Sequence, residues 1–243
     1  MRWGARLGVL GALTCAATAL APRGEACVEI VPTLVLPEGV APPDAHVWIV
    51  GPSGPLLAGG SFALVPTAEP SRPLPVVARS WESSMVVELV PRGPLSPGAR
   101  YEVWGFPRPR DGKAQPPLLL QTFRVEGGDD TTPPPAPKLS FAEQYHPLDS
   151  CRDWVAIHGT PASDPSGELL YAVWLAEDGR IAYDAAPTAI VRWRAPSTVE
   201  PHPPLAISPA LRGAPGAWRA GVRTIDVAGN LGAPVEIPVS RAR

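Results

Sequence analysis

Short apolar runs broken by Pro and Gly recur along the whole chain. In the first half they are Val28 to Leu36, Ala45 to Val50, Ser61 to Val65, Val76 to Trp81, Met85 to Val90, Arg100 to Phe106 and Leu118 to Val125. In the second half they are Lys138 to Gln144, Asp153 to His158, Leu169 to Leu175, Ile181 to Tyr183, Ala189 to Trp193, Pro204 to Ile207, Ala217 to Ile225 and Val235 to Val239. Runs of this length at this spacing predict many short strands and a sandwich architecture, not a βαβ fold. Pro or Gly interrupts nearly every window long enough to hold an amphipathic helix. Glu177-Asp178-Gly179 and Val227-Ala228-Gly229-Asn230 read as turns between strands, because Gly accepts the positive φ that such turns require.

The run Gly127-Gly128-Asp129-Asp130-Thr131-Thr132-Pro133-Pro134-Pro135-Ala136-Pro137 separates the two strand-rich halves. The Gly pair gives slack, the two Asp favour water, and three consecutive prolines stiffen an extended segment. It is expected to be a linker, 127–137, with little for its backbone to bond to. The expected organisation is therefore a sandwich over 27–126, the linker, and a second sandwich over 138–243.

The first 26 residues read as a secretion signal: Arg2 and Arg6, then an uncharged apolar stretch from Leu7 to Leu20, then Pro22 and Gly24-Glu25-Ala26 before the cut. That stretch is shorter than the ~20 residues of a comfortable bilayer span. No later stretch is apolar enough to cross a membrane, so the mature chain is expected to have no transmembrane span. The localisation that follows is export: periplasmic, cell-surface or extracellular. Cutting after Ala26 removes three Arg and one Glu and takes the formal charge from −2 to −4. Nucleic-acid binding, which needs a basic face, is not expected.

Composition sharpens the picture. The 34 Pro and 23 Gly punctuate Val- and Trp-bearing runs, which suits strands joined by turns better than disorder. With eight Trp against four Phe and two Met, the core must draw on Val, Leu, Ile and Trp. Cys15 leaves with the signal, which leaves Cys27 and Cys151. In an oxidising compartment this pair reads as a disulfide. The alternative is a lipid anchor on Cys27, although Gly24 and Glu25 match a lipoprotein signal poorly. A disulfide needs Cα atoms within about 7 Å. Cys27 and Cys151 are each placed at the far end of a half, so the bond requires the second half to fold back beside the first.

Two patterns carry a resemblance. Leu95-Ser96-Pro97-Gly98-Ala99-Arg100-Tyr101-Glu102-Val103 resembles the turn into strand F of immunoglobulin-like and fibronectin type III-like modules of exported bacterial proteins. Its Leu95, Pro97, Gly98 and Tyr101 imply a tyrosine corner, the hydroxyl bonded back to upstream main chain. Pro215 to Val222 followed by Arg223-Thr224-Ile225-Asp226-Val227-Ala228-Gly229-Asn230 resembles the same family's strand F and its following hairpin, with Trp218 where Tyr is usual. The resemblance implies two tandem all-β sandwiches, with Leu95, Pro97, Gly98, Tyr101, Trp218, Asp226, Gly229 and Asn230 as structural residues. It says almost nothing about activity.

Candidate chemistry is thin. His46, His146, His158 and His202 lack the short spacing of metal ligands, and His46 and His158 read as polar-face strand residues. Gly51-Pro52-Ser53-Gly54-Pro55 suits a turn better than a nucleophile elbow. Glu126, Asp129 and Asp130 could offer oxygens to Ca²⁺, but linker acids ordinarily stay solvated. Trp48, Trp81, Trp104, Trp154, Trp174, Trp193 and Trp218 could stack on a glycan, or fill the space between sheets. No catalytic, cofactor or metal residues are assigned. The expectation is a non-catalytic binding or spacer module for protein or glycan; the rivals are an accessory part of an envelope assembly without a ligand and, less favoured, an enzyme.

Overall fold

The computed structural model describes residues 34–51, 60–81, 86–108, 113–145, 154–177, 180–193, 203–207 and 218–241. Cys27, Cys151, His146, His202, most of the Gly51–Pro55 turn and the expected signal lie outside these residues. Every regular element among them is a strand. No helix among them is long and apolar enough to cross a membrane.

The first half contributes β1 (Leu34–Leu36), β2 (Gly39–Ala41), β3 (Val47–Val50), β4 (Ser61–Pro66), β5 (Val76–Trp81), β6 (Val86–Pro91), β7 (Arg100–Phe106) and β8 (Leu118–Val125). They form two sheets, β1-β3-β6-β5 and β2-β8-β7-β4. The sheets face each other across Val35, Val47, Ile49, Leu64, Leu89, Tyr101, Val103, Phe123 and Val125. Period-two alternation drives this: Tyr101 and Val103 turn inward, while Glu102 and Trp104 turn outward.

The second half contributes β9 (Lys138–Tyr145), β10 (Trp154–Thr160), β11 (Leu170–Glu177), β12 (Ala189–Arg192), β13 (Leu205–Ile207), β14 (Trp218–Ile225) and β15 (Val235–Arg241). Their order is β12-β11-β14-β15-β9-β10-β13. The parallel pairing of β15 with β9 at Val239–Ala142 joins two layers into one continuous sheet. Val155, Ile157, Tyr171, Val173, Leu205, Ala220, Val222 and Val239 fill the space between the layers. Strand order in both halves is that of immunoglobulin-like and fibronectin type III-like sandwiches. The fold class is all-β of that kind.

Three sequence expectations differ from the structure. Of the first run only Leu34–Leu36 is described, and it forms β1; β2 follows as an additional strand beyond the run, pairing parallel to β8. Ile181 to Tyr183 is not a strand. It lies over Gly221, where an added Cβ would run into the Tyr183 ring and the Ile181 side chain, so it covers the sheet without pairing to it. The 127–137 run, expected to have little to bond to, is bonded at Asp130, Thr132 and Pro135, as described next.

Candidate functional site

The two halves share a third apolar cluster. Leu36, Trp48 and Val86 from the first half gather with Leu170, Ala172, Trp174, Ile181, Ile190, Ile225 and Val227 from the second, all buried. This follows from strands that bury both faces. Along β3, Val47 and Ile49 enter the first core while Trp48 enters the shared cluster. Along β11, Tyr171 and Val173 enter the second core while Leu170, Ala172 and Trp174 face the first half. Trp48 stacks on Trp81 with ring centroids 5.8 Å apart, and Trp174 meets Tyr183 edge-on at 5.2 Å. The indole N–H of Trp174 donates to the Ala185 carbonyl at 2.9 Å. The buried indole N–H of Trp48 has no partner, so packing alone holds that ring.

Polar contacts rim the cluster at the linker end. The His46 N–H donates to the Val227 carbonyl at 2.7 Å, directly bridging the halves. His46 Nδ1 lies 2.7 Å from Oε1 of buried Glu88, and Arg79 lies 3.4 Å from the other carboxylate oxygen. A buried carboxylate needs such partners, because desolvating it alone would be costly. Gly229, at φ +84°, backs onto the His46 ring; an added Cβ would sit 2.7 Å from its Cε1 and Nδ1.

Asp226 and Asn230 build the turn that carries Gly229. The Asn230 N–H donates to Asp226 Oδ1 at 2.8 Å and its side-chain amide to Oδ2 at 2.9 Å. Burial pushes the Asp226 carboxyl up from its ordinary value; the Asn230 bonds work against this and nearby Asp130 adds to it. The same Asn230 amide donates to the Asp130 carbonyl at 2.6 Å. The Asp130 N–H donates to Asp44 Oδ1 at 3.0 Å, and Thr224 Oγ1 donates to the Pro135 carbonyl at 2.9 Å. The linker is thus tied to both halves. Prolines permit this, since they lack the N–H but keep the acceptor.

The other singled-out residues sit as follows. Tyr101 is 3% exposed, and its hydroxyl accepts the Ser96 N–H at 2.9 Å. Leu95 is buried with its N–H on the Pro43 carbonyl; Pro97 and Gly98, the latter at φ +79°, form the turn between them. Trp218 is half-buried against the second core, its indole N–H screened and without a partner. In that half the corner-like bond belongs to Tyr171, whose hydroxyl accepts the Ala162 N–H at 3.1 Å. Sequence reasoning missed Tyr171. Burial pushes its phenol up to about 12. Glu126 pairs with Arg124 at 3.3 Å. Among the described residues no group of three or more His, Cys, Asp or Glu is placed to hold a metal.

A second feature lies on the outer face of β9 and β10. Phe141 stacks on His158 with centroids 4.2 Å apart and planes 12° from parallel, and Tyr145 stacks on Trp154 at 4.4 Å and 14°. The register pairs Phe141 with His158, Glu143 with Ala156 and Tyr145 with Trp154, so all share one face. Phe141 is 45% exposed. The Tyr145 hydroxyl donates to Glu143 Oε2 at 2.9 Å; that bond, with burial, pushes its phenol up. His158 Nε2 is screened and without a partner, so stacking orients the ring. At Gly159 the strand bulges, and an added Cβ there would run into the Lys138 carbonyl.

No protein-family profile matches the chain, and no curated protein does. Among solved structures it is similar to the FN1–FN3 domains of chicken CNTN1, at 12% identity and TM-score 0.28, covering 88% of this chain and 66% of that one. It is also similar to the N-terminal part of the bacterial S-layer protein SbsC, at 9% identity and TM-score 0.27, covering 86% of this chain and 44% of that one. The fibronectin(III)-like modules of Clostridium thermocellum CbhA give 11% identity and TM-score 0.24, with 87% and 96% covered. The chain thus spans less than two thirds of the first two. The fold class stands on strand order, not on these likenesses.

Proposed function

We propose that the chain is an exported, non-catalytic module made of two β-sandwich domains, 27–126 and 138–243, that act as one rigid body and present a binding surface to a protein or glycan. The observation that carries this reading is the shared cluster of Leu36, Trp48 and Val86 with Leu170, Trp174, Ile190 and Ile225. Linked modules with small polar contacts move independently, whereas a dry apolar joint fixes their relative position. Separate cores on either side of the joint support the division into two domains. The β9–β10 aromatic face favours a binding role over a ligand-free accessory part.

Scanning calorimetry tests the rigid-body reading. One cooperative transition, with equal calorimetric and van't Hoff enthalpies, is expected. Two resolved transitions would overturn it.

The pairing of Cys27 with Cys151 belongs to the same proposal. β1 begins at Leu34, opposite Val50, and runs toward the His46 contact at the linker end, so its start is the end of the strand away from the linker. Trp154 lies beside Tyr145, at the end of β9 away from the linker. The described ends nearest the two cysteines, Leu34 and Trp154, thus both lie away from the linker, which favours the bond. The intact mass of the exported protein is expected to rise by about two hydrogens on reduction. A diacylglycerol adduct on Cys27 would contradict it.

A further inference from the structure

We propose that the β9–β10 aromatic face is a binding strip for a neutral polysaccharide. This names the ligand class of the binding surface proposed above and rests on that reading. The second sandwich has two outer faces. One, on β11, β12 and β14, is covered by the first half. The other carries Phe141, His158, Tyr145 and Trp154 and lies on the side away from the joint. Rings packed as core filler belong between the sheets, and the neighbours on the inner side of these strands, Ala142, Val155 and Ile157, already fill that place. The four rings therefore stand outside the second core.

The two stacks stand four residues apart along β9, about 13 Å at the strand rise. The facing sides of each stacked pair are taken up by the ring-to-ring contact, so a chain of sugar rings running along the strand can set the apolar C–H face of one unit against the free outer ring face of each stack. Pyranose rings suit this contact because one face is apolar while hydroxyls project around the edge, and Tyr and Trp combine a flat apolar body with a polar tip. Glu143 lies between the stacks, on the same face. A carboxylate has about four acceptor sites, and the Tyr145 hydroxyl uses one. The rest suit sugar hydroxyls, which donate. The same charge selects the ligand: an acidic polysaccharide would place its carboxylates or sulfates against Glu143, and like charges in register repel.

The test is affinity electrophoresis of the mature full-length chain in native gels carrying hydroxyethyl cellulose, xylan or glycogen, with polygalacturonate as the acidic counterpart. Retardation is expected with at least one neutral polymer and not with polygalacturonate. Tyr145→Ala and Trp154→Ala are expected to weaken it about tenfold each, the scale of one lost aromatic contact. Phe141→Ala, at the most exposed ring, keeps the test open if either variant fails to fold. Glu143→Gln is expected to restore tolerance of polygalacturonate. No retardation with any neutral polymer, retardation unchanged by the ring variants, or a homodimer that Tyr145→Ala dissociates would each overturn the inference. A single calorimetric transition accompanied by no sugar binding sinks the ligand and leaves the rigid module; two transitions sink the module whatever the gels show.

Discussion

Trp48→Ala is expected to destabilise the protein by about 3–5 kcal/mol and to split its unfolding into two transitions. Trp48 is 3% exposed in the joint, stacked on Trp81 and held by packing without a hydrogen bond. Truncation leaves a cavity whose walls are β strands from both halves, and those strands are fixed by their own cores and cannot collapse into it. The apolar contact between halves is therefore lost while each core persists. Denaturant melts followed by fluorescence and far-UV dichroism measure this: the two probes are expected to diverge in the variant and coincide in the parent. Trp154→Ala, on the opposite face, is expected to leave a single transition. A Trp48→Ala protein that loses less than about 1 kcal/mol and still melts in one step would show that the joint holds little.

The second large effect is expected at Gly229. Alanine there meets two penalties: a left-handed backbone, φ +84°, and a Cβ 2.7 Å from the His46 ring. The first costs about 1–2 kcal/mol and the crowding about 1–3, so a total near 3 kcal/mol and a fall in Tm of roughly 6–12 °C are expected. Displacing His46 also strips buried Glu88 of its closer partner, leaving Arg79. Gly127→Ala supplies the control. Its φ is +79° but open space surrounds it, so only the backbone cost remains. Equal losses in the two variants would mean that the contact across the joint contributes nothing.

Much of the fold is legible in the chain, because strand alternation and Gly- or Pro-marked turns are local signals. The turn before Tyr101 and the Asp226–Asn230 turn are both readable from a few consecutive residues. The joint is less so, since it depends on which second face is covered. A trace exists nonetheless: Val47-Trp48-Ile49 and Leu170-Tyr171-Ala172-Val173-Trp174 are buried without alternation, as strands covered on both sides must be. His46 reads as a surface strand residue because its partner Glu88 is 42 positions away and its backbone partner, Val227, lies in the other half. The linker misleads for a different reason. Its composition reports the missing donors of proline and says nothing of the carbonyls that Asn230 and Thr224 find there. The aromatic strip emerges only once β9 and β10 are in register, since Phe141 and Tyr145 lie on one strand and Trp154 and His158 on the other.

Small-angle scattering of the mature chain in dilute solution tests the side-by-side joint most directly. A single compact body of this length has a radius of gyration of about 17 Å. Two units of about 13 Å each, strung end to end with centres some 35–40 Å apart, give about 22 Å or more. The shared cluster predicts the smaller value, unchanged by salt. A radius near the larger one, with a two-lobed distance distribution, would contradict the account.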